Sequence, residues 1–428
     1  MRNTIICALV IILAIGCKQQ PDYIVIESKS DNCKVLNLDP VFEPIPWDTT
    51  TISDIVDTMK IVALETSPES ILAGIGPIKI YGNRIVNRDM NEGIAIFDIN
   101  GKYIKHIRRG QGPGEINASF DFDADSQYLY ILQQDKISKF TLDGEFVDNY
   151  PLPEKYMTNP DNIKKVDDGF LLSLRPYSDE MSYEVFHLDE NLNEKNHFVF
   201  EHSLHYGGQS GFMMTDGRIV FYMPMTNTIY QFDGKTFSPY LVFNYPKFAN
   251  TFENYSGVTD PRDFSKKYCI PGKYFFSGQM CQASNILYIS FWDNFPPIQI
   301  KNAYVDTQNG KFRIQGHPSD RDKPYENLLY YCGGVGCSYN DYMVRYISPE
   351  CYLTEPKISE ELLSQMKEDL KEHGIDWESG KKEEKDKDWY SKLEHISAED
   401  VLKLKNAKAE DNPLLVFIKF KNIPDGGK

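Results

Sequence analysis

Four short stretches of this 428-residue chain carry side chains able to hold a polar ligand: VNRDMNE, LRPYSDE, SFWDNFPP and YISPE. They offer Arg88, Asp89, Arg175, Tyr177, Trp292 and Asp293, with Arg345 just before the last of them. Guanidinium planes bind carboxylates and phosphates through paired hydrogen bonds. Aromatic faces attract cations, and a few convergent polar groups orient a small ligand. The mixture fits a glycan, a peptide or an acidic small molecule. The same residue types also occur on ordinary exposed loops.

Other candidate chemistry is weaker. RRGQGPGEI, residues 108–116, has the glycines of a phosphate loop, but a strand pattern follows it. A phosphate loop needs a helix there, with its N-terminal N–H groups facing the anion. We read the stretch as a turn. No GxSxG elbow and no HExxH helix occur,. His187, His197, His202 and His205 lie near one another in sequence. A histidine at HSLHYGG could act as a base beside Tyr206, although polar residues of a crossing read the same way. Cys33, Cys269, Cys281, Cys332, Cys337 and Cys351 remain beyond the N-terminal segment. Cys269–Cys281 and Cys332–Cys337 are the nearest pairs for disulfides, and buried free thiols are the alternative. Their spacing matches no zinc framework. No catalytic residue, metal site or cofactor is assigned.

The elements that must position these loops repeat. A turn followed by an apolar strand recurs six times, as YGNRIVNRD, ADSQYLYIL, VDDGFLLSL, TDGRIVFYM, ASNILYISF and YNDYMVRYI. A second hairpin recurs as DINGKYI, TLDGEFV, LDENLNE, QFDGKTF and VDTQNGKF. Asn-Gly and Asp-Gly favour the positive φ of tight hairpins. Spacings of about 43 to 55 residues fit propeller blades of four strands. One longer gap, residues 217 to 285, reads as an insertion between the fourth and fifth units.

GQGPGEI followed by a strand pair and KFTLDGEFV resembles an NHL-type propeller repeat. With DTMKIVALET, FDINGKYI, MTNTIYQFDG and NPLLVFIKFK, the chain resembles the six-bladed β-propeller lipoproteins of gut anaerobes over residues 40 to 422. The resemblance implies an all-β fold, a single six-bladed β-propeller of four-stranded antiparallel blades. It transfers no catalytic signature to any residue. A propeller must join its last blade to its first. We expect MKIVALE, residues 59–65, beside residues 412–421.

A helical insertion is expected over about residues 356–408, with a stripe of Ile358, Leu362, Leu363, Met366 and Leu370 and a second helix starting at Ser397,. SGKKEEKDKD, residues 379–388, reads as a solvated loop.

At the N-terminus, residues 1–16 read as a signal peptide, with Arg2 before an apolar run,. Ala14-Ile15-Gly16-Cys17 is similar to a lipobox, which makes Cys17 the expected lipidation site. Ordinary signal peptidase also suits Ala14-x-Gly16. Residues 17–40 are expected as the lipidated cysteine and tether, and 41–428 as the propeller. The formal charge is −16, becoming −17 once Arg2 leaves with the signal. Such a balance excludes nucleic acid as partner, and contact with a membrane is expected only through the lipid.

The sequence therefore points to an exported propeller, anchored at the outer membrane of a bacterial cell envelope, that binds through its ring mouth without catalysis. Its expected partner is a glycan, a peptide or an envelope protein. A metal-dependent lactonase-like hydrolase, a lyase and a structural subunit of an envelope complex are the alternatives.

Overall fold

The strand pattern follows from where the chain can turn. Gly101 and Gly144 hold φ of +88° and +83° in equivalent hairpins, a region a side chain rarely adopts,. Asp98 completes the first turn by accepting the N–H groups of Asn100 and Lys102 at 2.8 and 2.9 Å. In a computed structural model, residues 24–30, 33–43, 52–112, 114–117, 119–176, 182–201, 209–249, 272–293, 300–315, 328–329, 332–353 and 389–423 are described.

The N-terminal elements are β1 (Val25–Ser30), β2 (Cys33–Asn37), a short α1 (Asp39–Phe42) and β3 (Val56–Ala63). Blade one is β4 (Ile75–Tyr81), β5 (Arg84–Asp89), β6 (Gly93–Asp98) and β7 (Tyr103–Arg108). Blade two is β8 (Asp121–Ala124), β9 (Tyr128–Leu132), β10 (Lys136–Thr141) and β11 (Phe146–Pro151). Blade three is β12 (Pro160–Val166), β13 (Gly169–Leu174), β14 (Ser182–Leu188) and β15 (Glu194–Glu201). Blade four is β16 (Gly211–Thr215), β17 (Arg218–Tyr222), β18 (Thr228–Phe232) and β19 (Phe237–Asn244). Blade five is β20 (Phe275–Ala283), β21 (Ile286–Trp292), β22 (Ile300–Asp306) and β23 (Phe312–Ile314). Blade six takes β24 (Cys332–Tyr339), β25 (Tyr342–Ile347), β26 (Leu414–Phe420) and, as its outermost strand, β3.

The fold is thus the six-bladed propeller of four-stranded antiparallel blades that the turn spacing implies. Each pair of neighbouring blades encloses its own apolar cluster. Val86, Ile94 and Ile96 of blade one meet Phe122, Leu129 and Ile131 of blade two. Tyr183 and Val185 of blade three meet Phe221 and Phe232 of blade four. The last seam is built the same way, with Val62, Val344 and Phe417 of blade six against Ile85, Ala95 and Phe97 of blade one.

Closure runs through a register in which Leu414 opposes Ala63 and Lys419 opposes Thr58. Ile61 and Val416 are directly paired and both fully buried. The first strand of the propeller is therefore supplied from before blade one, as expected from MKIVALE, although it starts earlier and ends two residues sooner.

The expected tether is corrected. Residues 25–37 form a hairpin, and β2 adds to the outer edge of blade four, parallel to β19, with Leu36 opposite Phe243. The physical reason is burial: Ile24, Leu36, Leu38 and Val41 all join the cluster between blades four and five. The hairpin also covers an edge that would otherwise expose unpaired backbone groups.

Near the C-terminus, helices α2 (Pro349–Leu353) and α3 (Ala398–Asn406) are described. Ser397 caps α3 by accepting the Asp400 N–H at 3.0 Å. Lys403 on α3 donates to the Ile61 carbonyl at 2.9 Å, so the helix lies against the closing strand. The expected stripe from Ile358 to Leu370 and the run 379–388 lie outside the described residues.

Ile61→Ala should destabilise the ring by about 2–5 kcal/mol, read from urea unfolding. Leu402→Ala, at a half-exposed site of α3 that faces away from closure, should shift the midpoint little. Equal shifts would contradict closure through β3.

Candidate functional site

The first strand of each blade, β4, β8, β12, β16, β20 or β24, is the innermost, and its side chains alternate between the two neighbouring blades,. β8 shows this most clearly. Phe122 is buried in the seam with blade one, while Asp121 and Asp123 turn the other way. Asp121 accepts Lys79 Nζ of β4 at 2.8 Å and the Ile163 N–H of β12 at 3.1 Å. Asp123 accepts the Tyr81 hydroxyl at 2.9 Å, Lys164 Nζ at 3.0 Å and the Lys165 N–H at 2.7 Å. Two carboxylates on one strand thus bolt blade two to both neighbours. Burial, then Asp123 and Asp121, hold the Tyr81 phenol well above its usual pKa, so it stays a donor.

The network continues around the ring. Asp161 on β12 accepts Arg175 Nε at 3.1 Å, Asn162 Nδ2 at 2.9 Å and the Ser210 hydroxyl of blade four. Thr215 donates to Gln282 of blade five at 2.6 Å, and Gln282 donates to Asp216 at 3.1 Å. Sequence reasoning missed these inner-strand groups. The alternation DFDAD was the available signal, because a strand sandwiched on both faces should read as continuously apolar.

The expected rim residues divide by strand parity. Counted from the residue paired across the first hairpin, Arg88 is the fifth of β5 and Arg175 the seventh along from the start of β13. Arg345 is the fourth of β25, and a one-residue offset sends a side chain to the other face,. Arg88 accordingly points towards blade two. Its guanidinium donates to the carbonyls of Ser119 (3.4 Å) and Phe120 and to Met90 Sδ at 3.4 Å. Burial lowers its pKa, Asp121 and Asp161 work the other way, and nearby Arg175 lowers it further. Arg88 and Arg175 therefore share one electrostatic neighbourhood.

Arg345 does not join them. It is 3% exposed, donates to the Tyr304 hydroxyl at 3.0 Å and lies 5.2 Å from the Tyr288 ring centroid. Burial opposes its charge, but Tyr304, Tyr288 and Cys332 more than offset this and raise its pKa. It belongs to the seam between blades five and six.

Asp89 is also occupied. It is buried and accepts the N–H groups of Ala73 (2.8 Å), Asn91 (3.2 Å) and Glu92 (3.3 Å), which shapes its loop. Asp293 is 1% exposed, and Trp292 packs edge-on to Phe275 at 6.5 Å. Tyr177, His202, His205 and Tyr206 lie outside the described residues. Among those described, no three His, Cys, Asp or Glu side chains form a group that could hold a metal ion.

The remaining motifs are structural. In RRGQGPGEI the Glu115 carboxylate accepts the Gly112 N–H at 2.7 Å, taking the place an anion would occupy. Arg109 N and Gly110 N bond across the loop to Glu92 and Ile116 carbonyls, so the crossing is a closed turn. His187 meets Asp168 at 2.9 Å, and His197 stacks on Phe186. Cys33, Cys281, Cys332, Cys337 and Cys351 are free thiols, all but Cys351 at least partly buried, which replaces the Cys332–Cys337 pairing considered above. Burial pushes Cys332 up to about 11 and Cys337 up to about 12.

Two outcomes follow from this geometry. Asp123→Ala leaves the half-buried Lys164 without its carboxylate and should cost about 1–3 kcal/mol in unfolding stability,. His106 on β7 has both ring nitrogens buried without hydrogen-bond partners, and burial lowers its pKa while Asp89 opposes that. The fold therefore favours the neutral ring. Its contribution is fully present above the unfolded pKa of about 6.5 and is lost as pH falls through the lower folded value. His106→Phe should flatten that part of the pH dependence of the urea midpoint.

Comparison with known proteins adds family and fold. A Bacteroides fragilis protein named as exported, known from a 2.60 Å crystal structure, superposes with a TM-score of 0.59 at 16% identity. The match covers 87% of this chain and 97% of that one. A member of the DUF4221 family from Bacteroides vulgatus gives a TM-score of 0.44 at 12% identity, over 86% and 97% of the two chains. At these identities the first likeness shows the fold alone. No curated protein matches the sequence. No helix among the described residues is long and apolar enough to cross a membrane. Residues 34–374 match the family described as a domain of unknown function, DUF4934, and the chain belongs to that family.

Proposed function

We propose that this protein is a non-catalytic binding propeller of the bacterial cell envelope that captures an anionic ligand at the ring mouth over blades one to three. One observation carries the reading. Among the cations of blades one to three, Lys79, Lys164 and Arg175 each hold a carboxylate, from Asp121, Asp123 and Asp161. Arg88 donates only to carbonyls and a thioether, and its Nε is buried without a partner. Among the described residues Arg88 is therefore held by no carboxylate, in a chain of net charge −16.

A carboxylate or phosphate of an acidic sugar, peptide or small molecule would balance the Arg88 charge. Arg175 supports the same reading, because its side chain is 49% exposed beside its buried partner. A guanidinium fixed by one carboxylate can still present its remaining N–H groups to a second anion. The hydrolase alternative has less support, since Asp89 spends its oxygens on backbone N–H groups rather than on the axis.

The envelope location and the lipid on Cys17 belong to this proposal, as does the kinship with NHL-type repeats. The lipobox-like AIGC and the exported B. fragilis neighbour support them. Cys17→Ser should move the protein from the membrane fraction to the soluble one, and mass spectrometry should find acyl chains on the native N-terminus. An unmodified cleaved end would refute the anchor.

For the site, trigalacturonate, sialyllactose and an acidic hexapeptide should be titrated against the native protein, Arg88→Ala and Arg175→Ala. The best ligand should lose about 1.5–3 kcal/mol of binding in either variant. Unchanged affinity in both would remove the mouth from consideration.

A further inference from the structure

On the opposite face of the ring, where the first and third hairpins of each blade emerge, a cleft of about 640 Å³ opens between blades two and three. Its walls include Tyr128, Lys139, Gln127, Asp125, Asp167 and Glu190. This volume lies in the range of small-molecule sites. None of the residues expected from the sequence to bind a ligand lies here.

Lys139 is the unusual group. Its Nζ lies 3.9 Å from the Tyr128 ring centroid and 5.7 Å from that of Tyr130. No carboxylate and no hydrogen-bond acceptor holds it among the described residues. Two rings fix the ammonium in place by attraction to their faces, and its three N–H groups are left for a ligand. Tyr130 is itself pinned, donating to Asp125 Oδ2 at 2.8 Å. Asp125 is committed, because its other oxygen accepts the N–H groups of Gln127 and Tyr128 at 2.8 Å each. Lys165 is committed too, stretched over Phe170 and bonded to Glu190 at 2.8 Å.

The charges in the cleft do not select an ion. Lys139 and Lys165 stand against Asp125, Asp167 and Glu190, so an anion meets three carboxylates and a cation meets a fixed ammonium. The lining instead offers donors and acceptors side by side: the Lys139 ammonium, the exposed Gln127 amide and Ser126 hydroxyl, and the exposed carboxylates of Asp167 and Glu190. A ligand that is uncharged and dense in hydroxyl groups satisfies both kinds at once, since each hydroxyl donates once and accepts twice. Lys139, preset on the two rings, lowers the ordering cost of binding,. We propose that this cleft is a second binding site, separate from the mouth, that takes a neutral oligosaccharide.

The test uses the full chain and three neutral probes: maltohexaose, cellohexaose and mannohexaose. Calorimetric titration should find at least one bound by the native protein. Lys139→Met keeps the aliphatic stem on the rings but removes the donors, and should weaken that ligand at least tenfold. Gln127→Ala sits in an exposed turn, so it should fold normally and weaken binding several-fold even if Lys139→Met does not fold. Arg88→Ala, which alters only the mouth, should leave the affinity unchanged. The proposal is overturned if none of the three probes binds. It is also overturned if Gln127→Ala and every folded Lys139 variant bind as the native chain does, or if Arg88→Ala abolishes binding.

Discussion

Each sheet of this protein is apolar on both faces, and that constraint governs the rest. In β9, Leu129 and Ile131 face blade one while Tyr130 and Leu132 face blade three. Such a sheet cannot leave either face in water at about 25 cal/mol for each Å² of apolar surface. It must be sandwiched, and a row of sandwiched sheets always has two unsatisfied ends unless it closes. Six clusters for six seams is the closed solution. The pairing of β3 with β26 makes the closing seam covalently ordinary, because one blade then contains both ends of the ring.

Much of this was legible in the sequence, and the failures have physical causes. Turn pairs such as Asn100-Gly101 and Asp143-Gly144 are local signals, so blade number and closure could be read from them. Side-chain direction is a matter of single residues. Arg88 and Arg345 occupy similar-looking places after a turn, yet a shift of one position puts the second inside a seam. The N-terminal hairpin was misread because VIESKS and CKVLN are short and largely polar, and their reason to be ordered lies some 200 residues away at Phe243 and Asn244. Asp121 and Asp123 carried a local signal in the alternation DFDAD, but the partners they bind lie in the two neighbouring blades and have no local signature.

The central channel is not symmetric in chemistry. Blades one to three are tied by ion pairs, and blades four and five by the Gln282 amide, which bonds the Thr215 hydroxyl and the Asp216 carboxylate. Between blades five, six and one the inner strands carry Cys281, Cys337 and Ile78 into the apolar seams, and burial keeps the two thiols protonated. Buried ionic networks are sensitive to the loss of any member, whereas apolar seams degrade by increments. The half of the ring that holds Arg88 and Arg175 is therefore also the half least tolerant of substitution.

The docked N-terminal hairpin decides how the molecule can stand. Ile24 is buried, and its N–H bonds the Gly310 carbonyl at 2.6 Å in the third hairpin of blade five, on the face opposite the mouth. Six residues lie between it and Cys17, a span no longer than about 25 Å when fully drawn out,. A lipid on Cys17 would then hold the ring at short clearance, attached by the rim of its hairpin face. The mouth would look outward, away from the bilayer, and the cleft between blades two and three would look down into the narrow gap beneath the ring.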